Sequence, residues 1–497
     1  MSYSRFKFKA LNLPKIIQFE MKRLTIHRTC VFILFSIFYL QFYSCKVATE
    51  QDKYEIMPNI IIFYADDLGW VDLGIQGSKY YETPNIDRIG KAGMRFTNAY
   101  ANAANCAPSR ACLMTGMYAP RHGVYTVLNS DRGPSKHRKL IPTENQTILD
   151  TNLLSMPQFF KNQGYQTCIA GKWHLSKDPL DYGFDTNFGG NHRGAPKSYF
   201  SPYKNPQLRD GPVGEHLPDR LSNDISDWII DHKDNPFFVY FPFYSVHTPI
   251  QAREDLTNKY ENKEPGEYHD KPSYAAMIEA MDLAIGKVLD VLEAQNLTKE
   301  TIIIFTSDNG AHGGQTLSRP LRGSKGMFYE GGIRVPFLIQ WEGQIEANSV
   351  NSTPIIGSDL LPTFMEILNG EVKVDFDGKS LVSILKKEGI LERSLFWHFP
   401  AYLQSYKSDR AFEDSHDKPW FRSAPVSVIR KGDWKLMEFF ENGDLELYNL
   451  KEDIGEKNNL EDKNLDKKKE LYQLLKEWQK QTNASIPTEL NPEYQSN

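Results

Sequence analysis

Four stretches of this chain are apolar at nearly every position and stop abruptly at polar residues. Residues 59–64 (NIIIFY) run into Asp66 and Asp67, and 166–170 (QTCIA) into Lys172 and His174. Residues 237–243 (FFVYFPF) lead to His247, and 301–306 (TIIIFT) to Asp308 and Asn309. Unbroken runs of this length predict strands covered on both faces, as in a parallel sheet. Between them the period changes. Residues 221–230 show helical spacing, and 274–292 place Met277, Met281, Ala284, Ile285, Val288 and Leu292 on one stripe. Strands alternating with helices predict a doubly wound α/β sheet, whose ligands bind beyond the carboxyl ends of the strands. All four polar groups fall at that edge.

From about residue 386 the pattern shortens. Strand-like runs at 425–430, 434–440 and 446–450 are broken by Lys431-Gly432-Asp433 and Asn442-Gly443-Asp444, which are hairpin signals. Residues 464–480 then read as an amphipathic helix with Leu471, Leu474, Leu475 and Trp478 apolar. The expected division is a large α/β domain over 54–385 and, over 386–497, a subdomain of small antiparallel sheet plus helix.

The N-terminus reads as a targeting segment. Residues 31–43 are apolar apart from Ser36 and Gln41, follow Lys22, Arg23 and Arg28, and end at Ser44-Cys45. This falls short of the roughly 20 apolar residues a membrane-spanning helix needs and fits a signal peptide. A signal over 1–45 is expected, with Met21 as an alternative start. Cleavage before Cys45 would be of the lipoprotein type, with Cys45 lipidated, although Phe42 stands where leucine is usual. That predicts export to the periplasm or cell surface, with a lipid anchor in the outer membrane as the one membrane contact. Cys112 and Cys168 can pair in such an envelope or stand as two buried thiols. The composition is that of an ordinary globular protein, 40% hydrophobic and 24% charged, with a net charge of −5. It offers no basic field for nucleic acid, so an anionic ligand must be drawn by local groups.

Candidate chemistry centres on Cys106-Ala-Pro-Ser-Arg110, which continues as Ala-Cys-Leu-Met-Thr115-Gly116. Pro108 suits the first turn of a helix that Thr115-Gly116 can close, so Cys106 would sit at a helix N-terminus, where free N–H groups favour an anion. Asp66, Asp67, Asp308 and Asn309 offer oxygen alone, a donor set for a hard cation such as calcium. The Cys-x-Pro-Ser-Arg stretch resembles the maturation motif of type I, formylglycine-dependent sulfatases, the arylsulfatase-like branch of the alkaline phosphatase superfamily. Asp66-Asp67-Leu-Gly-Trp70, Gly171-Lys172-Trp-His174, His247-Thr-Pro249, Thr306-Ser-Asp-Asn-Gly310, Leu321-Arg322-Gly-Ser-Lys325-Gly326 and Glu330-Gly-Gly-Ile-Arg334-Val-Pro336 match further motifs of that family in chain order.

The resemblance implies an alkaline-phosphatase-like fold and the hydrolysis of sulfate esters. It implies that Cys106 becomes formylglycine (3-oxoalanine), whose hydrate attacks sulfur, through a formylglycine-generating enzyme or an anaerobic sulfatase maturase. One calcium per chain would be held by Asp66, Asp67, Asp308, Asn309 and the modified Cys106. Arg110, Lys172 and Lys325 would hold the sulfate oxygens and the diol, His174 would deprotonate the diol, and His247 would protonate the leaving alcohol. Arg322 and Arg334 read as structural. Calcium, three carboxylates and three basic side chains sum to a positive site, suited to a transferring sulfuryl or phosphoryl group.

Specificity is expected after Asp185. There Asn191, His192 and Arg193, joined by His312, are candidates to read a sugar, and the aromatic-rich 198–203 segment to supply exposed rings for stacking. A polysaccharide sulfatase is the leading reading. A phosphonate monoester hydrolase or phosphodiesterase of the same superfamily, and a non-catalytic glycan-binding lipoprotein, are the rivals. The sequence does not select the glycan.

Overall fold

The computed structural model describes residues 57–370, 374–416 and 419–495; the expected signal and Cys45 lie outside them. Eight strands form the central sheet: β1 (Asn59–Ala65), β2 (Met94–Phe96), β3 (Gln166–Ala170), β4 (Thr186–Phe188), β5 (Phe237–Pro242), β6 (Thr301–Ser307), β7 (Phe337–Gln340) and β8 (Ser349–Asn351). Their order is β4-β3-β5-β1-β6-β7-β2-β8. The four long apolar runs are therefore neighbours at the centre. Every residue of β1, β5 and β6 is buried, which is why these strands show no alternation. The sheet is mixed where a parallel one was expected: β7 runs antiparallel to both β6 and β2. Its four residues are as apolar as a parallel strand, so nothing in the pattern marks its direction.

The main helices are α1 (Pro84–Ala92), α2 (Cys106–Thr115), α3 (Met156–Asn162), α4 (Leu217–His232), α5 (Glu254–Glu261), α6 (Pro272–Ala294), α7 (Leu360–Ile367) and α8 (Leu465–Gln481). Both faces of the sheet are covered. The predicted stripe of α6 is buried in one core with Ile61, Phe63, Val239, Phe241, Ile303 and Phe305, alongside side chains of α1, α4 and α5. On the opposite face Phe160 of α3 stacks on Phe238 of β5 and meets Phe364 of α7. This is the doubly wound arrangement, and it leaves the carboxyl ends of β1, β3, β5 and β6 on one edge.

A second sheet has β9 (Ser394–Phe399), β10 (Val426–Lys431), β11 (Trp434–Phe439) and β12 (Asp444–Asn449) in that order, all antiparallel. α8 covers it with Leu471, Leu475 and Trp478, the last stacked 4.7 Å from Phe396. Leu403–Gln404 and Phe421–Ser423 form a separate antiparallel pair between β9 and β10. Lys435 of β11 lies 3.1 Å from Glu330 and 2.8 Å from Glu456, all three fully buried, and so ties this sheet to the Glu330-Gly-Gly-Ile segment.

Candidate active site

β1 and β6 stay in register to their last residues, Ala65 opposite Ser307, so Asp66-Asp67 and Asp308-Asn309 leave adjacent strands side by side. The Asp67 N–H donates to Asp308 Oδ1 at 3.2 Å. Lys172, from the end of β3, places Nζ 2.6 Å from Asp66 Oδ2. Lys325 Nζ lies 2.6 Å from Asp67 Oδ1 and 2.8 Å from Oδ2. Arg110 on α2 donates to Asp308 Oδ2 from Nε and Nη2, at 3.0 and 2.7 Å, and to the Lys172 carbonyl from Nη1 at 2.8 Å. Three buried carboxylates thus meet three cations one to one. A buried charge left alone costs several kcal/mol in effective terms, about the penalty this pairing offsets.

α2 begins at Cys106 behind extended Asn105 and closes at Gly116, whose left-handed φ of 68° lets its N–H reach the Cys112 carbonyl. Pro108 occupies the first turn, as expected. Cys106 is 2% exposed. Burial pushes its thiol up to about 12, against the pull of Lys172 and Lys325. Such a thiol stays protonated at neutral pH, unlike the activated thiolate of a cysteine nucleophile. Cys106, Cys112 and Cys168 are all free and buried, so the second of the two alternatives for Cys112 and Cys168 holds.

Asp66, Asp67, Cys106 and His247 bring potential ligand atoms within 4.8 Å of one another. Asp66 Oδ1 and Asn309 Oδ1 are buried and accept no hydrogen bond, while Asn309 Nδ2 donates to Asp67 Oδ1 at 2.9 Å. Unsatisfied buried oxygens beside carboxylates fit a hard cation. Asp308 stands at the same edge, with both oxygens already engaged by Arg110 and the Asp67 amide.

A cleft of about 580 Å³ opens over Cys106, and His174, His247, His312 and Lys325 line it. The carbonyl of Thr248 takes the Nδ1 proton of His247 at 2.7 Å, leaving Nε2 3.7 Å from Asp67 Oδ2. Burial, reinforced by Lys325, pulls the His247 pKa down to about 3. His174 has a positive φ of 66°, donates its N–H to the Asn191 carbonyl at 2.9 Å and buries an unbonded Nδ1. Burial, then Lys172, hold its pKa well below the usual histidine value.

Several expectations change. The motifs do not name the partners of Arg110 and Lys172, which are paired here with Asp308 and Asp66. His192, Arg193 and His312 line the cleft, but Asn191 is turned inward, donating to Gly189 O and Asn205 Oδ1. The aromatic rings of 198–203 are not an open stacking surface: Tyr199 and Tyr203 are buried, their hydroxyls donating to the His247 carbonyl and to Glu215, and half-buried Phe200 packs on the His216 ring. Tyr199 thereby helps to place His247. Arg322 stacks 3.7 Å over Tyr329 and Arg334 pairs with Glu330, structural roles as expected. Arg132, Lys197, Tyr406 and Arg422 also line the cleft. None belongs to a recognisable motif, so no local signal marks them.

The model of the sulfatase family matches residues 58–370, well over half of the chain. The chain belongs to the sulfatase family. It is a sulfuric ester hydrolase, and its mixed sheet with a smaller antiparallel partner is the alkaline-phosphatase-like architecture of sulfatases. A second model, described as N-sulphoglucosamine sulphohydrolase, C-terminal, matches residues 324–484. This sulfatase is 35% identical to a sulfatase of Formosa agariphila, over 84% of this chain and 87% of that one. It is 32% identical to N-acetylgalactosamine-6-sulfatase of Homo sapiens, over 69% and 68% of the two chains. The crystal structure of Ps i-CgsB in complex with k-i-k-neocarrahexaose superposes with a TM-score of 0.69 at 27% identity, covering 85% of this sulfatase and 92% of that chain.

Proposed function

We propose that this sulfatase removes sulfate from a sulfated carbohydrate, using formylglycine made from Cys106 and one calcium ion held by Asp66, Asp67, Asp308 and Asn309. The observation that carries this reading is the position of Cys106. It begins a helix, has a thiol that burial disfavours as the anion, and opens on the cleft that Lys325, His174 and His247 share. Relatives named for N-acetylgalactosamine 6-sulfate and a structural neighbour holding a neocarrahexaose support a sugar ester. Hydrated formylglycine supplies the attacking hydroxyl, and calcium when bound supplies Lewis acidity.

This chain's own side chains do the remaining work. Asp67 raises the Lys325 pKa against the lowering effect of burial, which keeps the ammonium charged where an ester oxygen would lie. His247 Nε2 faces the cleft, and with Nδ1 donating to Thr248 the neutral ring carries no proton there. His247 would act as the acid once a bound anionic ester raises its pKa and the ring takes up a second proton, which Nε2 gives to the departing alcohol oxygen. His174, kept neutral by burial, shares the cleft with Cys106 and would accept one. Arg110 and Lys172, paired with Asp308 and Asp66, would hold the sulfate oxygens and the diol together with Lys325. The N-terminal sequence supports export with an anchor at Cys45, and a maturase of either type would act on Cys106 first. Among the described residues no helix is long and apolar enough to cross a membrane.

The test pairs activity with mass. Sulfate release from sulfated sugars is expected to accompany a Cys106 peptide about 18 Da lighter than cysteine, as the covalent chemistry requires. Unmodified cysteine in fully active enzyme refutes the mechanism. Matched sulfate and phosphate esters separate sulfatase from phosphonate or phosphodiester hydrolase, and sugar binding without turnover would identify a glycan-binding protein.

A further inference from the structure

No carboxylate lines the cleft among the described residues, yet Arg132, Arg193, Lys197, Lys325 and Arg422 do. Lys325 is matched by Asp67. Arg422 has no such match. It is 8% exposed and donates Nε to the Gln404 carbonyl and Nη1 to the Lys325 carbonyl, both at 3.1 Å. No described carboxylate reaches salt-bridge distance of Arg422 or of Arg132. Burial lowers the pKa of Arg422, with Asp409 opposing and Arg132 adding to the effect. Asp409 itself is engaged by Ser324 Oγ at 3.1 Å.

The surroundings of these two arginines are fixed. Arg132 Nε donates to Gln404 Oε1 at 3.1 Å, and Gln404 Nε2 donates to the Tyr406 hydroxyl at 2.8 Å. Arg422 lies 5.0 Å from the centre of the Tyr406 ring. Two guanidinium groups are thus held near each other against their repulsion. One of them is desolvated and hydrogen-bonded to two neutral carbonyls, with Asp409 acting on it only from beyond salt-bridge distance. A bound anion stabilises this arrangement further. The planar guanidinium fork suits carboxylate and sulfate alike.

We propose that Arg132 and Arg422 form a second anion subsite beside the reacting sulfate, so that the preferred substrate is a sulfated sugar bearing another negative group, a carboxylate or a second sulfate, next to the one removed. The bond from Arg422 to the Lys325 carbonyl sets this subsite against the sulfate-binding end of the cleft, and the exposed face of Tyr406 is available to the sugar ring. The inference rests on the sulfatase reading and narrows its substrate class.

Three matched disaccharides test it on the matured, metal-loaded enzyme. Each carries one target sulfate; one is otherwise neutral, one has a uronic carboxylate on the neighbouring ring, and one has a second sulfate there. An anionic sugar is expected to be favoured by ~10–100-fold in kcat/KM, mainly through KM, which is the scale of charge-assisted hydrogen bonds. The winning arm names the anion. Arg132→Gln is expected to bring that ratio close to one. It is the more decisive variant, because Arg422 also holds backbone; Arg422→Lys is expected to lower the ratio in the same direction. Equal kcat/KM on all three sugars, or a preference that survives Arg132→Gln, overturns the subsite. If no ester is cleaved at all, the sulfatase reading fails. Calorimetric affinities for the same sugars then read the subsite without turnover, and equal affinities overturn it.

Discussion

His247 donates Nδ1–H to the Thr248 carbonyl, so Nε2 must gain a proton in the substrate complex before it serves as acid, and its value depends on how badly the leaving oxygen needs that proton. A sugar alkoxide leaves poorly unprotonated, whereas nitrophenolate departs as the anion. His247→Ala is expected to cost ~10²–10⁴ in kcat/KM on a sulfated sugar and far less on nitrophenyl sulfate. Equal losses on both would move His247 from acid to sulfate binder. Asp308 is more constrained: it answers Arg110 and the Asp67 amide at once. Asp308→Ala strands a buried guanidinium, so activity should vanish, added calcium should not restore it, and stability should fall by about 3–5 kcal/mol in denaturant titration. Metal analysis showing a full site with normal activity would refute this. At this scale the motif residues were legible, because chemistry restricts what can stand at those positions. The direction of Arg110 and Lys172 was not, since a one-dimensional motif does not say which carboxylate each cation meets.

The segment after β4 shows what elements add. Gly194 sits so close to His174 that an added Cβ would lie 2.5 Å from its Cε1 and 2.6 Å from its Nε2. Gly194→Ala must therefore displace either the ring or the segment. We expect kcat to fall at least about tenfold, in keeping with the cost of misplacing a reacting group, with far-UV circular dichroism unchanged. Normal kcat would show that the segment yields and the ring does not. The central strands and α6 were readable because they are long and uniformly buried. β2, β7 and β8 have three or four residues each, too few for a period to emerge, and β9 lay unmarked before the hairpins. The aromatic residues of 198–203 misled for a different reason: a tyrosine with a buried hydroxyl partner looks in sequence like one that greets a sugar.

For the molecule as a whole, the buried Glu330–Lys435–Glu456 group links the second sheet to the segment before β7. Burial raises Glu456 from the ordinary glutamate value to about 7, with Lys435 opposing and Glu330 adding, while Glu330 is held near 2 by Lys435 once its own burial is overcome. A raised carboxyl binds its proton more tightly folded than unfolded, so its contribution is complete below the unfolded value and is lost as pH rises through 7. Unfolding free energy should fall between about pH 5 and 8 by ~1–3 kcal/mol from this group, and Glu456→Gln should flatten that slope. An unchanged slope in urea titrations would count against it. The overall architecture was legible from the burial pattern; the cleft's far wall was not, because it is delivered by residues distant in sequence from every motif. That wall sets the terms on which descendants of this gene can diverge. The pair of strands at Leu403–Gln404 and Phe421–Ser423 carries none of the proposed metal or nucleophile residues, so a lineage can change its diet there without relearning its chemistry. The leash is Arg422: whatever replaces it inherits the duty of holding the backbone of Lys325.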